Sequence, residues 1–238
     1  MVEQSENRAE GGGKHRLPGF DQALETMRTD LLLMGSLVRR SFHNARLGFE
    51  QRDDDYCAAV IADDEEVDLL EKQVDKAGSD LLMRFAPLAL DLRVVLATIK
   101  VNSLLEQLSD LAVSIARRAR RLNQDPPLEE AGAANPVFNV LENSLELALA
   151  AFSKLDGVTA EQVRAQMEPV AQQAREADDR FSDLIPEHRQ GARALVQLMA
   201  IAQGLEAVAY LLETLAEEVI YVAEARDVRH AGNKLEIA

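Results

Sequence analysis

The stretch IKVNSLLEQLSDLAVSIARRARRL, residues 99–122, carries the pattern that decides the fold. Its apolar residues recur every three or four positions, which is the spacing of one face of an α-helix. A second stretch, MAIAQGLEAVAYLLETLAEEVIYV at residues 199–222, aligns with the first. Glu106 then matches Glu206, and most other aligned positions hold residues of similar character. The chain therefore contains two long helices of similar sequence.

Four more helical segments accompany this pair, and no segment alternates polar and apolar residues as a strand would. The predicted bounds of the six helices are about 21–50, 55–85, 90–122, 136–155, 159–186 and 187–225. Because a shift of 103 residues also aligns Asp53 with Asp156, three helices are followed by three similar ones in the same order. This order predicts an all-α fold of two similar three-helix bundles that arose by internal duplication. The predicted domains are a disordered tail, a first repeat and a second repeat with a short C-terminal tail, at residues 1–20, 21–126 and 127–238.

Local signals predict where some of these helices begin and bend. Asn135 is the predicted N-cap of the fourth helix, because Pro136 follows it in the first turn. Thr159 and Gln162 have the spacing of a capping box and predict the start of the fifth helix. Pro169 lies inside that fifth helix and is expected to kink it.

The composition narrows the class of partner. The 238 residues have a formal net charge of −15, which disfavours nucleic acid and anionic membrane surfaces because their phosphates would be repelled. A metal ion or a basic protein surface fits this charge better. Cys57 is the only cysteine, which suits a reducing cytoplasm. No signal peptide is evident and no uninterrupted apolar run has the length of a membrane span, so we expect a cytoplasmic protein without direct membrane insertion.

Two pairs of carboxylates stand out. Glu106 and Asp110 are four residues apart, share one helix face and continue the apolar line of Leu92 and Ile99. Inward-facing carboxylates need a basic partner, a proton or a cation to offset the loss of water. The alternative is a rim position at a helix–helix edge.

The second pair lies on the second helix. Asp64 and Asp68 are also four residues apart and flank that helix's packing face. In a chain so rich in acidic residues such spacings also arise by chance, and from the spacing alone a solvated acidic surface is the favoured interpretation.

Several stretches of the chain resemble the PhoU family, the regulators of phosphate uptake and phosphate signalling. They are GFDQALETMRTDLLLMGSLV, DDEEVDLLE, DLRVVLATIKVNSLLEQLSDLAVSIA and AEEVIYVAEARDVRH, at residues 19–38, 63–71, 91–116 and 216–230. The resemblance implies two three-helix bundles and a carboxylate metal site. In this chain the implied ligands are Asp64, Asp68, Glu106 and Asp110, and the metal stays open among iron, zinc, manganese and magnesium.

The second half departs from the family pattern. Met167 and Ala171 stand where acids are expected on the fifth helix, and Tyr210 replaces an Asp on the sixth, so that Glu206 alone remains. The resemblance therefore implies metal binding in the first half and not in the second.

The resemblance implies a regulator and not an enzyme. Its expected partners are a sensor histidine kinase and a phosphate-transporter ATPase, and a homodimer stays open. The sequence has no Gly-rich phosphate loop and no plausible nucleophile–base pair. The alternatives are a carboxylate-bridged metal-binding protein or enzyme of the ferritin-like kind, disfavoured because Glu-x-x-His is absent, and a structural adaptor without metal.

Overall fold

The structure is a computed structural model that describes residues 18–188 and 191–229. The predicted N-terminal tail lies almost wholly outside the described residues, as does the end of the C-terminal tail. The helices are α1, α2, α3, α4, α5 and α6, which span Phe20–Glu50, Asp54–Phe85, Ala89–Leu122, Asn135–Lys154, Gly157–Leu184 and Ala192–Glu224. A short 3₁₀ helix, Glu129–Ala134, precedes α4. The described part of the chain contains no strand, and the predicted all-α class with six long helices is confirmed.

The helices pack in two groups of three. In the first group α1, α2 and α3 all contact one another, and in the second α4, α5 and α6 do the same. The groups meet mainly where α3 packs against α6, and also where α1 packs against α4. One continuous apolar core runs through both groups, and Leu105 and Leu205 are fully buried in it. The proposed domain boundary and the internal duplication stay predictions.

The N-termini of α2 and α5 are built alike. Asp53 precedes α2, and its carboxylate accepts a hydrogen bond from the backbone N–H of Asp55. Asp156 precedes α5, and its carboxylate accepts from the backbone N–H groups of Val158 and Thr159. The prediction that Thr159 opens α5 was therefore wrong by three positions, because the extended residue Asp156 satisfies the free N–H groups first.

Two other predicted helix starts also differ from the structure. Ala134 precedes α4 without a side-chain cap, and Asn135 is already helical because the 3₁₀ helix leads directly into α4. The sixth helix begins at Ala192, several residues after its predicted start. Pro169 lies inside α5, which continues on both sides of it, and a kink there stays a prediction.

α6 is the most apolar helix. Its length and composition would allow it to cross a membrane, but half of its most apolar window is buried inside the protein. It contacts α3, α4 and α5. This position in the core accounts for its composition, because a helix that is apolar all round packs against neighbours on several sides.

Candidate functional site

The polar contacts between α2 and α3 set the register of these helices. The Ser109 hydroxyl donates a hydrogen bond to Asp64 Oδ1 at 3.0 Å. Farther along, Asn102 Nδ2 donates to Asp75 Oδ1 at 3.0 Å and to the Glu71 carbonyl oxygen at 2.9 Å. The helices are therefore antiparallel, and the segments between these contacts face each other. We call the edge formed by four of their carboxylates the acidic seam, which comprises Asp64, Asp68, Glu106 and Asp110.

The acidic seam lies at the rim of the α2–α3 contact. Asp64 and Glu106 are half-buried, whereas Asp68 and Asp110 are exposed. The expectation that Glu106 and Asp110 face inward was wrong, and the rim alternative describes their position. A seven-residue repeat drifts by about 20° per heptad around a straight helix. The line from Leu92 to Glu106 therefore runs beside the buried stripe of α3.

The members of the seam interact electrostatically. Partial burial raises the pKa of the Glu106 carboxyl, and the negative charges of Asp110, Glu71, Asp68 and Asp64 raise it further. Partial burial also raises the pKa of Asp64, where the Asp110 and Asp68 charges add to the effect and the Ser109 hydrogen bond opposes it. The four predicted ligands are therefore close enough to disfavour one another's ionised form.

The seam has the donor chemistry of a hard-cation site but not its closed geometry. Among the described residues, no three His, Cys, Asp or Glu side chains converge closely enough to hold a metal ion. A further oxygen lies one turn from Glu106. The side chain of Asn102 is fully buried, and its Oδ1 accepts no hydrogen bond from the residues that the structure describes. Carboxylate and amide oxygens are the donors that hard cations prefer, so metal binding at the seam stays a prediction.

Lys100 does not compensate the seam. Its Nζ donates to both carboxylate oxygens of Glu218 on α6, at 2.8 and 3.0 Å. Glu218 is 5% exposed, whereas the Lys100 side chain is 47% exposed, so this ion pair joins the two helix groups at the edge of their contact. A buried carboxylate can be stabilised by a basic partner, a proton or a cation. At the α3–α6 contact, Glu218 has the basic partner.

The corresponding edge of the second half has different chemistry. Met167 and Ala171 of α5 are fully buried in the core, as their apolar character requires. Glu206 of α6 is half-buried and Tyr210 is exposed, and the Tyr210 hydroxyl donates to Glu206 Oε1 at 3.1 Å. The predicted absence of a carboxylate cluster thus agrees with how these side chains are placed.

Arg175 is the residue of this edge that the sequence analysis missed. Its guanidinium donates to Glu206 and Glu168 in ion pairs of 2.9 and 2.7 Å, and it also donates to the Tyr210 hydroxyl. These carboxylates raise the pKa of Arg175. A signal was present in the sequence, because Arg175 lies seven residues after Glu168 and four after Ala171, on the same face of α5. We call Glu168, Arg175, Glu206 and Tyr210 the arginine seam.

Comparison with known proteins shows what this chain resembles. Residues 31–119, which include the α2 and α3 segments of the acidic seam, match the family model of the PhoU domain. The resemblance drawn from the sequence motifs is thereby confirmed.

Similarity to PhoU proteins extends over almost the whole chain. A Burkholderia relative, described as a phosphate-specific transport system accessory protein PhoU homolog, is 29% identical and aligns over 91% of this chain and 94% of its own. The Escherichia coli accessory protein PhoU is 25% identical, over 92% and 91% of the two chains. The names of these relatives describe accessory proteins. The prediction that the chain is not an enzyme is confirmed, and the ferritin-like alternative gains no support.

Solved structures of PhoU share the fold. The crystal structure of PhoU from Pseudomonas aeruginosa matches with a TM-score of 0.84 at 24% identity and covers 87% of this chain and 100% of that one. PhoU from Streptococcus pneumoniae, described as a phosphate transport system regulatory protein, matches with a TM-score of 0.80 at 21% identity, over 88% and 99% of the chains. The arrangement of six helices is therefore that of PhoU.

Proposed function

We propose that this chain is a cytoplasmic regulator of phosphate transport and phosphate-starvation signalling, and that it acts through contacts with other proteins. The observation that carries the proposal is its similarity to phosphate-specific transport accessory proteins over about nine tenths of both chains. The shared fold supports it, since the helices that carry the motifs are arranged as in PhoU. The absence of a nucleophile–base pair from the sequence motifs is consistent with a role that involves no catalysis.

The proposed partners are the ATPase of a phosphate transporter and a sensor histidine kinase. A chain with a net charge of −15 is attracted to basic protein surfaces and repelled by bare anionic lipid. Exposed apolar side chains such as Met83 and Leu88, 75% and 79% exposed, lie at the turn between α2 and α3 and offer contact area close to acidic helices. Association with the membrane would then depend on the partner, and a homodimer remains compatible with the same surfaces.

We also propose that the acidic seam binds a divalent or trivalent cation. The raised pKa values of Asp64 and Glu106 support this, because a cation would relieve both the burial cost and the mutual repulsion of the carboxylates. Asp68 and Asp110 are exposed, and exposed side chains change rotamer rapidly. Rotation of these two side chains is therefore the proposed route by which the ligand set closes.

Deletion of the gene in its own host tests the regulatory role. In medium rich in phosphate, we expect a phosphate-starvation promoter to become active when the chain is absent and to be silenced again by the wild-type gene. An unchanged promoter in the deletion strain would contradict the proposal.

A binding assay tests the partners separately. The purified protein should bind the transporter ATPase or the sensor kinase of the same cell at physiological salt, and it should bind anionic vesicles only weakly. Tight binding to protein-free vesicles, without binding to either protein, would contradict docking through partners.

A further inference from the structure

The guanidinium of Arg175 is fully engaged at the α5–α6 edge. Nη1 donates to Glu206 Oε1 at 2.9 Å and also to the Tyr210 hydroxyl. Nη2 donates to Glu168 Oε1 at 2.7 Å, and Nε donates to Gln172 Oε1 at 3.1 Å. The planar, forked arrangement of its donors allows Arg to hold several oxygens at once.

The two α6 partners of Arg175 occupy the positions that match the acidic pair of α3. Glu206 aligns with Glu106, and Tyr210 aligns with Asp110. We infer that the Arg175 guanidinium is a built-in cation. It neutralises the carboxylates of the arginine seam, as an external cation would neutralise those of the acidic seam. The second half would then need no metal ion to keep α5 and α6 together.

The neighbouring residues explain why a side chain can take this place. Met167 and Ala171 contribute no charge, so Glu168 and Glu206 are the carboxylates that the guanidinium has to neutralise. In the first half the residue that matches Arg175 is Lys72. Lys72 is exposed and forms no hydrogen bond or ion pair within the part of the chain that the structure describes. The acidic seam therefore has no equivalent internal cation at this position.

This assignment makes Arg175 the residue that keeps the second half from responding to cations. It rests on the proposed correspondence of the two seams, and it does not require that the acidic seam bind a metal ion. The test can therefore be made in a protein whose acidic seam has been disabled by E106Q and D110N. Cation binding at the acidic seam and the role of Arg175 are then tested separately, so that the failure of one proposal can be told from the failure of the other.

The experiment compares R175Q with R175K in the E106Q/D110N background. Free Mn²⁺ is measured by electron paramagnetic resonance, and the melting temperature is measured with and without MnCl₂. We expect R175Q to gain one Mn²⁺ site and a cation-dependent rise in melting temperature of about 2–5 °C, since Glu168 and Glu206 then lack a cation. R175K keeps the positive charge and should gain neither.

A matched control is R164Q in the same background, because Arg164 also pairs with a glutamate of α5, Glu161, that is not a member of the arginine seam. It should gain no Mn²⁺ site. Equal Mn²⁺ binding by R175Q and by its parent would overturn the inference, as would equal gains in R175Q and R175K. If R175Q does not fold alone, 10 mM MnCl₂ should restore its helical circular dichroism, and a lack of restoration would also overturn it.

Discussion

The α2–α3 edge and the α5–α6 edge carry different charges at matching positions of similar helices. Carboxylates cluster at the first edge, whereas carboxylates pair with an arginine at the second. The acidic seam collects four carboxylates, and burial and like charges raise the pKa of Asp64 and Glu106. The arginine seam has two carboxylates, and one guanidinium contacts both of them. The apolar framework beneath is alike, since Leu105 and Leu205 are both buried.

This difference indicates which positions of the two helix groups are free to change. Residues that fill the core are constrained by volume, because a cavity or an overpacked position costs stability. Residues at the rim need only keep their charges balanced, and a cation from solution or from a side chain achieves this. Under the two proposals above, one half of the protein depends on an ion while the other is independent of it.

The largest expected effect tests whether the two frameworks are equivalent. L105A and L205A each remove a buried side chain at aligned positions. Each should lower the free energy of unfolding by about 2–5 kcal/mol. Denaturant unfolding of the two variants measures this. As a control, L147A removes a side chain that is 44% exposed and should change stability by less than about 0.5 kcal/mol. A small loss for only one of the two buried leucines would mean that the positions are not equivalent.

The second prediction separates the seams by their response to cations. At about 100 times its dissociation constant, a divalent cation that binds only the folded protein should add about 2.7 kcal/mol of stability, or about 5–10 °C in melting temperature. E106Q/D110N should abolish this rise.

The matched control in the second half is E206Q. It removes a partner of Arg175 and should lower the melting temperature without cation, but the cation-dependent rise should persist. Two equal sites in a titration, or unaltered binding by E106Q/D110N, would place the cation elsewhere.

The sequence was a better guide to the framework than to the rims. Helical periodicity is a local property, so the six helices could be predicted from apolar spacing. The orientations and partners of the rim side chains depend on tertiary contacts. Glu106 was expected to face inward because its spacing from Ile99 ignored the drift of a heptad around the helix. Arg175 was missed although its spacing from Glu168 on α5 was a signal, because its other partners, Glu206 and Tyr210, belong to another helix and cannot be found from the pattern of α5 alone.

The starts of helices show the same limit. Asp156 and Thr159 are both good caps, and the choice between them depends on which residue has an extended backbone. The capping-box spacing favoured Thr159, which lies three positions after the true cap, Asp156. Comparison with Asp53 would have resolved it, because the two aspartates are aligned in the sequence.

The third prediction concerns pH and the acidic seam in the absence of metal. Because the pKa values of Asp64 and Glu106 are raised in the folded protein, the folded state binds more protons than the unfolded state as these groups titrate. The free energy of unfolding should therefore fall as pH rises from the unfolded carboxyl pKa of about 4 through the folded values. E106Q should reduce this fall and raise the melting temperature at pH 7 by about 1–2 °C. Thermal unfolding between pH 4 and pH 7 measures it, and a steeper fall in E106Q would contradict the assignment.

The smallest expected effect is the difference between the two aspartate caps. Asp53 accepts one backbone hydrogen bond, from Asp55 at 2.8 Å, and D53A should cost about 1 kcal/mol. Asp156 accepts from the N–H groups of Val158 and Thr159, both at 3.1 Å, and from the Thr159 hydroxyl at 2.6 Å. D156A should therefore lower the melting temperature more than D53A.

The pH dependence of the Asp156 cap provides its own check. The hydrogen bond from the Thr159 hydroxyl, followed by that from the Thr159 N–H, holds the pKa of the Asp156 carboxyl below its usual range. The stability that the ionised cap contributes is then present above the unfolded carboxyl pKa of about 4, and it is lost as pH falls through the lower folded value. D156N keeps an acceptor oxygen but cannot ionise, so its deficit relative to wild type should be largest near pH 7 and should shrink toward pH 3. This direction is opposite to that expected of Glu106, so parallel pH profiles for D156N and E106Q would contradict one of the two assignments.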